Sequence, residues 1–276
     1  MFKLIRCTVY FTDLDYADDV TLLTEMLQTL VAELLVLRDE AAPLGLQINW
    51  SKTKIQQVGE PRPTQSTVQV AAENVDLVDE FIYLGSLISH DGGSEAEILR
   101  RIAIARACFC LLEKNIWRSH IYTETKVHLY RTYILPVLLY GCETWTVTKT
   151  LAKRLDAFDT WCLRKILRIP YTRHTTNETV RSITGCLPVS GRVKSFRLKF
   201  FGHLARSAPD EDHHRVISAA LRPPSDWRRH VGRPRTTWLR TIDEDIQPQN
   251  FGVHTAWRKA RDREVWHQVV STATLC

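Results

Sequence analysis

The chain has 276 residues, of which 44% are hydrophobic, so it can bury the core of one large or two ordinary domains. It contains no run of about 18 apolar residues, and its first residues lack the apolar stretch of a signal peptide, so we expect an intracellular protein without a membrane partner. Its net charge of +6 and its seven cysteines, which form no CxxC pair, argue against an acidic protein, a disulfide framework and a zinc site.

The first predicted element is a β-hairpin between residues 10 and 23. Residues that favour strands flank a polar centre with the adjacent carboxylates Asp18 and Asp19, and aspartate tolerates tight turns. An amphipathic helix is predicted to follow from about Thr24 to Ala42, because leucine and valine recur on one of its faces. A Pro-Leu-Gly sequence directly after it predicts its end.

Short strands and a second hairpin are predicted up to residue 88. The segments 47–49, 53–58 and 67–70 alternate between polar and apolar residues, and residues 81–88 have the pattern of a strand pair with a bend at Gly85. Together with the first hairpin, these strands predict a small antiparallel sheet that carries one helix.

From Ser94 onward the pattern becomes helical. Ser94 and Glu97 have the spacing of a capping box at a helix N-terminus. Further helices, the first with a kink at Pro136, are predicted over the approximate ranges 123–141, 151–167, 175–185, 190–206, 237–246 and 253–270. Residues 207–236 are predicted to be a loop. The expected fold class is α+β, a small sheet followed by a mainly helical region, with domains at residues 1–90, 91–187 and 188–276.

Charge is distributed unevenly along the chain. Residues 1–90 hold 6 Lys and Arg against 13 Asp and Glu, a balance of −7. Residues 91–187 hold 15 against 9, a balance of +6, and residues 188–240 hold 12 against 4, a balance of +8. An acidic start suits a metal site and a basic remainder suits a polyanion such as nucleic acid, whereas each cluster alone could be an ordinary solvated surface.

The paired aspartates are the most specific chemical signal. Adjacent carboxylates at a hairpin turn concentrate negative charge that a cation would neutralise. Phosphoryl transfer with two metal ions uses such carboxylates to hold Mg²⁺. The alternative is a plain aspartate turn facing water, and the four residues Tyr16–Asp19 do not by themselves decide between the two.

A series of further motifs follows these aspartates in a fixed order. The series comprises YADD at 16–19, LGLQINWSKTK at 44–54, FIYLGS at 81–86, DGGS at 91–94, LLYGCETW at 138–145, CLRKIL at 162–167, FGHL at 201–204 and GRPRTTW at 232–238. In content and order it resembles the reverse transcriptases of non-LTR (LINE-type) retrotransposons over nearly the whole chain.

The resemblance implies a role for each matching residue. Asp18 and Asp19 match the paired aspartates of the polymerase palm, which hold Mg²⁺, and Tyr16 and Ala17 would lie near this metal site and the primer end. Lys52 matches a palm lysine that approaches the incoming triphosphate, where it could neutralise phosphate or donate a proton. Its alternative is a solvated lysine at the end of a strand.

The resemblance also implies how the rest of the chain meets nucleic acid. Tyr83, Leu84 and Gly85 match a strand pair that grips the primer, where glycine permits close backbone approach. The domain 1–90 would be a partial palm, the helices from Ser94 a thumb, and residues 188–276 a basic helical region. The implied partners are an RNA template and a DNA primer.

One departure from the family is informative. The palm needs another aspartate on an earlier strand, and only 17 residues precede Asp18. We therefore expect the C-terminal portion of an RNA-directed DNA polymerase, from a truncated element or gene fragment, that is catalytically incomplete alone. The alternatives are a non-enzymatic nucleic-acid-binding remnant of that polymerase and an unselected reading frame that folds poorly.

A cluster of arginines gives a separate prediction of nucleic-acid binding. Arg228, Arg229, Arg233 and Arg235 lie close together, and an Arg-Pro-Arg arm can enter the minor groove of A·T-rich DNA. The alternative is an exposed basic linker.

Overall fold

A computed structural model describes residues 13–59, 66–170, 172–222 and 236–274, with side chains from Tyr16 onward. Within these residues the α+β class is confirmed, because strands occupy the chain up to residue 89 and helices dominate after it. The chain divides into two compact units, one of residues 1–81, 89–92 and 204–234 and one of residues 82–88, 93–203 and 235–276. The three-part domain division made from the sequence stays a prediction.

The elements are as follows. The strands are β1 (Asp13–Tyr16), β2 (Asp19–Leu22), β3 (Lys54–Gln56), β4 (Thr67–Val70), β5 (Glu73–Val78), β6 (Glu80–Tyr83) and β7 (Ser86–Ser89). The α-helices are α1 (Leu27–Ala41), α2 (Glu95–Leu111), α3 (Thr123–Leu129), α4 (Leu135–Leu138), α5 (Lys149–Ile166), α6 (Asn177–Thr184), α7 (Val189–Arg206), α8 (Asp212–Leu221), α9 (Trp238–Ile246), α10 (Val253–Lys259) and α11 (Arg263–Thr274). None of these described helices combines the length and apolar character needed to span a membrane.

In the first unit, α1 shares a small core with the strands that follow it. This core consists of Leu34, Ile55, Val68, Val70 and Val75. Buried and exposed residues alternate along β4, as expected for a strand with one face toward the core. Leu22 of β2 and Trp50 also pack against this core. Leu22 follows the motif at 16–19, and Trp50 lies within the motif at 44–54, so both motifs are anchored on the core.

The sheet of the first unit is mixed, which corrects the antiparallel arrangement expected from the sequence. β5 lies between the other two strands, antiparallel to β4 and parallel to β3. The parallel register pairs Lys54 with Asp76 and Ile55 with Leu77. β5 was not predicted, since its Asn and Asp residues are poor strand formers, and with β5 missing the partner of β3 could not be assigned.

The second unit has a core built almost entirely from helices. Its largest fully buried side chains include Ile98, Phe109, Trp117, Tyr130, Ile134, Leu138, Leu155 and Leu163. Along α2, the buried residues Ile98, Ala105 and Phe109 recur at helical spacing, which confirms the helix predicted from Ser94 onward.

The predicted kink at Pro136 takes the form of a π-helical turn. Residues Tyr130–Ile134 form this turn between α3 and α4, directly before the proline. Proline cannot donate a backbone hydrogen bond and crowds the preceding turn, so a wider turn relieves the conflict without ending the helix. Gly141 follows α4 with a φ of +70° and ends this helical segment, as predicted.

The predicted capping box at the start of α2 is wrong. The Ser94 hydroxyl accepts a hydrogen bond from the backbone N–H of Thr146 at 3.0 Å and lies 3.1 Å from the Thr146 hydroxyl. The Glu97 carboxylate instead accepts a bond from the backbone N–H of Leu87 at 3.0 Å. Partners distant in sequence have replaced the local ones that the spacing suggested.

Part of the predicted loop 207–236 is helical. α8 occupies Asp212–Leu221, and its His214 is buried with its Nδ1 3.2 Å from the carbonyl oxygen of Leu204. The sequence did not predict this helix, because it begins with Asp-His-His and has prolines on both sides, and these residues have low helix propensity.

The described cysteines are free thiols, in keeping with the reduced state expected from the sequence. Cys142, Cys162 and Cys186 are buried in the second unit, whereas Cys110 is exposed on α2. Burial raises the pKa of the Cys142 thiol to about 12 and raises that of Cys162 further. The thiols of Cys142 and Cys162 are therefore protonated and inert at neutral pH.

Candidate functional site

The paired aspartates lie at the turn of the β1–β2 hairpin. β1 and β2 are antiparallel, and Tyr16 pairs with Asp19 directly across the turn that Ala17 and Asp18 form. The hairpin predicted from the sequence is thus present, with the carboxylates at its tip. Residues Tyr16 to Val20 are all exposed, so both carboxylates face solvent.

The backbone of this turn is in an unusual conformation. Ala17 has a φ of +56°, in the left-handed region that side chains other than Gly, Asn and Asp disfavour. Turns with left-handed residues match the twist of a hairpin and keep its strands in register. The turn therefore fixes where the Asp18 carboxylate lies relative to Asp19, at some cost in backbone strain.

The donor set at this turn suits a hard cation. Mg²⁺ is commonly held by one or two carboxylates together with water and phosphate oxygens, which the pair Asp18 and Asp19 could provide. Among the residues that the structure describes, no group of three or more His, Cys, Asp and Glu side chains could hold a metal ion. Any site here would therefore be completed by ligands beyond these two side chains.

Lys52 lies in a turn that Asn49 organises just before β3. The Asn49 side-chain oxygen accepts bonds from the Ser51 hydroxyl at 2.7 Å and from the backbone N–H of Lys52 at 3.2 Å. Lys52 is exposed, whereas nearby Lys54 donates to the Asp76 carboxylate at 2.7 Å. Of these two lysines in the motif, Lys52 is the one that can reach a ligand in solvent.

Tyr83, Leu84 and Gly85 form part of the β6–β7 turn, which belongs to the second unit. Leu84 and Gly85 have φ values of +47° and +78°. Gly85 adopts this conformation freely, but Leu84 is strained in it. The two predicted site segments thus share a feature, a hairpin turn with a left-handed residue other than glycine, although they lie in different units.

Three side chains bind the carbonyl groups of this second turn. The Tyr140 hydroxyl donates to the Leu84 carbonyl oxygen at 2.8 Å, and the Arg100 guanidinium donates to the Gly85 carbonyl oxygen at 2.7 Å. Arg101 donates to the same Gly85 oxygen, and its guanidinium lies 4.4 Å from the centre of the Tyr140 ring. These contacts hold the turn in its strained conformation.

Glu97 joins these arginines to the strand after the turn. Its carboxylate, only 3% exposed, accepts bonds from Arg100 at 2.7 Å, from Arg101 at 2.6 Å and from the backbone N–H of Leu87. Burial alone would raise the pKa of Glu97, but the hydrogen bonds from the two arginines outweigh it and the pKa is lowered. Sequence reasoning missed this network, although the spacing of Glu97 to Arg100 and Arg101 was visible.

The arginines of the predicted nucleic-acid-binding arm, Arg228, Arg229, Arg233 and Arg235, lie outside the described residues. Their role therefore stays a prediction. Trp238, a few residues later, donates from its indole to the Glu143 carbonyl oxygen at 2.8 Å. Its ring also packs near Phe200 and Phe201, so it contributes to the helical core.

Comparison with known proteins gives one informative similarity. The chain is 29% identical over 272 residues to an uncharacterized transposon-derived protein of Caenorhabditis elegans, covering 95% of this chain and 96% of that protein. No protein-family model matches the chain. No solved structure matches it either. The similarity indicates an origin in a transposable element.

Proposed function

We propose that the chain is the C-terminal part of a retrotransposon RNA-directed DNA polymerase, with an RNA template and a DNA primer as its partners. The observation that carries this proposal is the exposed pair of carboxylates, Asp18 and Asp19, at the turn of a hairpin. The similarity to a transposon-derived protein supports it, because the motif then occurs in the genetic setting where such polymerases are found.

Each predicted site residue would have a role that suits its chemistry. Asp18 and Asp19 would hold Mg²⁺, which supplies positive charge to the reacting phosphates when bound. The exposed Lys52 amine would contact the phosphates of the incoming nucleotide. The β6–β7 turn, with Tyr83, Leu84 and Gly85, would lie against the primer, since glycine permits close approach.

The position of the carboxylates limits what this chain does alone. Asp18 and Asp19 come from one turn, so they approach a metal ion from one side. Two-metal transfer needs ions held against both the attacking and the leaving oxygen. We therefore expect that the chain binds Mg²⁺ weakly and that catalysis requires a carboxylate from another strand.

Iron-directed cleavage tests the metal site directly. Fe²⁺ that replaces Mg²⁺ reduces added hydrogen peroxide to hydroxide and a hydroxyl radical, becoming Fe³⁺, and the radical cuts the backbone beside the ion. With the chain bound to a primer–template duplex, we expect cuts near residues 16–20 that added Mg²⁺ suppresses. The double variant Asp18→Asn, Asp19→Asn should lose these cuts and keep the fold, because both side chains are exposed.

The matched control is Asp39→Asn with Glu40→Gln, an exposed acidic pair on α1. It removes the same charge but should leave the cuts unchanged. Cuts that persist in the Asp18 and Asp19 variant, or that never concentrate near the hairpin, would contradict the proposed metal site.

Primer extension on an RNA template tests separately whether the catalytic site of the chain is incomplete. We expect the chain alone to incorporate no nucleotides above the level of the Asp18→Asn, Asp19→Asn variant. Incorporation above that level would support polymerase function and show that some other group completes the site.

A second candidate function is nucleic-acid binding without catalysis. It is favoured by the positive balances of residues 91–187 and 188–240, which need no metal ion to attract phosphate. Duplex binding that is unaffected by Mg²⁺ and by the Asp18 and Asp19 variant would favour this candidate.

A further inference from the structure

The second unit contains a cavity of about 730 Å³ whose lining is both aromatic and cationic. Small-molecule sites in proteins typically have volumes of roughly 300–1,000 Å³. The side chains that matter for its chemistry are Trp117, Arg118, Trp161, Arg164, Lys165 and Arg168. Arg164 and Lys165 belong to the CLRKIL motif, but the predicted site residues Asp18, Asp19, Lys52, Tyr83, Leu84 and Gly85 do not line the cavity.

Trp161 forms the aromatic wall of the cavity. It is partly exposed, and it is supported by Phe109 and Phe158, whose ring centres lie 5.3 and 6.0 Å from its own. Trp117 stacks on Phe109 at 4.6 Å, is 1% exposed and donates its indole N–H to the Phe109 carbonyl oxygen at 2.7 Å. Trp117 therefore belongs to the floor. Trp161 is the more exposed ring, and the Arg106 guanidinium and the Lys165 amine lie 5.2 and 5.9 Å from its centre.

Arg118 and Lys165 supply accessible positive charge. Their side chains are 72% and 46% exposed, and they share a single carboxylate, that of Glu113, at 2.9 and 3.7 Å. Because two cations share one carboxylate, this edge of the cavity, the cationic rim formed by Arg118 and Lys165, has a net positive charge. An exposed ion pair contributes little stability, so a phosphate could displace Glu113 from either cation at small cost.

Arg164 and Arg168 are held by neutral oxygen atoms. Arg164 donates to the Thr175 carbonyl oxygen at 2.6 Å, and Arg168 donates to that of Ser119 at 2.7 Å. Such bonds orient a guanidinium without neutralising it. Both groups therefore add positive charge to the cavity in fixed positions.

The backbone at Arg168 is in an unusual conformation. Arg168 follows the end of α5 with a φ of +55°, at a position where helices usually have glycine or asparagine. Behind it, the amine of Lys126 is buried and donates to the carbonyl oxygens of Trp117 and Ser119 at 3.0 and 2.7 Å. Burial and the charge of Arg168 lower the pKa of Lys126, as expected where cations are crowded.

We propose that this cavity binds a nucleotide, with its base against Trp161 and its phosphate at Arg118 and Lys165. Every base has a π-face, so stacking on tryptophan requires no particular sequence. Arginine and lysine both bind phosphate, arginine through paired N–H groups. The nucleotide is either free or one unit of a single strand, and the same chemistry recognises both.

Salt-dependent binding of a fluorescent oligothymidylate to the full chain tests the cationic rim. Each phosphate of a single strand that the protein neutralises contributes about 0.7 to the slope of log affinity against log salt. Because Arg118 and Lys165 share one phosphate, Arg118→Ala with Lys165→Ala should reduce this slope by about 0.7. The control, Arg154→Ala with Arg240→Ala, removes two exposed cations that are also paired with carboxylates and should leave the slope unchanged. Equal slopes for both double variants would overturn the proposal.

Competition measurements distinguish the contribution of the base from that of the phosphate. They also show whether the ligand is a free nucleotide or one unit of a single strand. An abasic strand of the same length should bind at least about fivefold more weakly, since it cannot stack on Trp161. Equal binding of both strands would overturn the aromatic part of the proposal. Competition by thymidine monophosphate, but not by inorganic phosphate, would assign the cavity to free nucleotides. Binding of the strand without such competition would assign it to a unit of a single strand.

Photocrosslinking gives a readout that does not depend on the folding of a variant. A strand that contains 5-bromodeoxyuridine, irradiated on the unmodified chain, should attach to the peptide that contains Trp161. Attachment only to peptides outside the cavity would overturn the proposal. The variant Asp18→Asn, Asp19→Asn should crosslink normally, so this result is independent of the proposed metal site.

Discussion

Glu97 illustrates how a single buried residue can decide the conformation of a turn. Its carboxylate lies between Arg100 and Arg101, and the arginines bind the Gly85 carbonyl oxygen in turn. If the carboxylate were neutral, Arg101 would remain buried without its charged partner. The residue is thus needed for the strained turn as well as for the packing of α2.

Glu97→Gln should therefore destabilise the protein. Removing one member of a buried ion pair costs about 3 kcal/mol or more, because a desolvated charge is left behind. The control is Glu95→Gln on the same helix, whose exposed pair with Arg154 should contribute less than about 1 kcal/mol. Urea unfolding measures both, and equal losses in the two variants would contradict the network.

The same carboxylate predicts a pH dependence. Its pKa is lowered in the folded state from the ordinary value of 4.5, so its contribution is present above that value and is lost as pH falls through the folded pKa. Between about pH 5 and about pH 3, the unmodified chain should lose more free energy of unfolding than Glu97→Gln. Parallel pH profiles for the two proteins would show that Glu97 is not responsible.

At the scale of elements, the β1–β2 hairpin is a two-stranded sheet of its own. As in the β6–β7 hairpin, its strands pair only with each other within the described residues, and its tip is exposed. An isolated two-stranded hairpin is at best marginally stable in water. Leu22 is its described contact with the core of the first unit.

Rates of amide hydrogen exchange should therefore differ strongly between the β1–β2 hairpin and the long helices. Amides of Asp13–Leu22 should exchange quickly, whereas those in the middle of α2 and α5 should be protected close to the limit of global unfolding. Mass spectrometry after brief deuteration distinguishes the two segments. Strong protection of the hairpin would mean that it has further partners.

The same contrast explains which elements the sequence could predict. α2 follows a clear helical period from Ile98 to Phe109, and the hairpin has a distinct polar turn, so local pattern sufficed for both. β5 and the parallel pairing of β3 depend on contacts distant in sequence, which no local pattern contains. For the site, the motif identified Asp18 and Asp19, but the arginines that hold Gly85 act through tertiary contacts that only the fold brings together.

For the whole molecule, the charge distribution leads to a prediction about binding. Residues 188–240 have a balance of +8, and Arg228, Arg229, Arg233 and Arg235 contribute half of it. Replacing these four by Ala should weaken binding to duplexes of every sequence. If all four neutralise phosphates, the slope of log affinity against log salt falls by about 3.6.

A matched quadruple variant controls for the loss of charge itself. Lys153, Arg154, Arg258 and Arg261 are exposed cations elsewhere in the chain, and their replacement by Ala removes the same net charge. Fluorescence anisotropy over a range of salt concentrations compares the two variants. If both change the slope equally, the arginine cluster has no special role and is an exposed basic linker.

The buried thiols of the second unit make it possible to measure the free energy that is needed to separate its helices. An alkylating reagent reaches Cys110 at once, but it reaches Cys142, Cys162 and Cys186 only when the helices around them separate. The rate at which these three acquire label, compared with that of an unfolded peptide, therefore gives the free energy of opening without any added denaturant. Because mass spectrometry resolves each cysteine, the measurement would show whether the unit opens as a whole or one helix at a time, even in a mixture of other proteins.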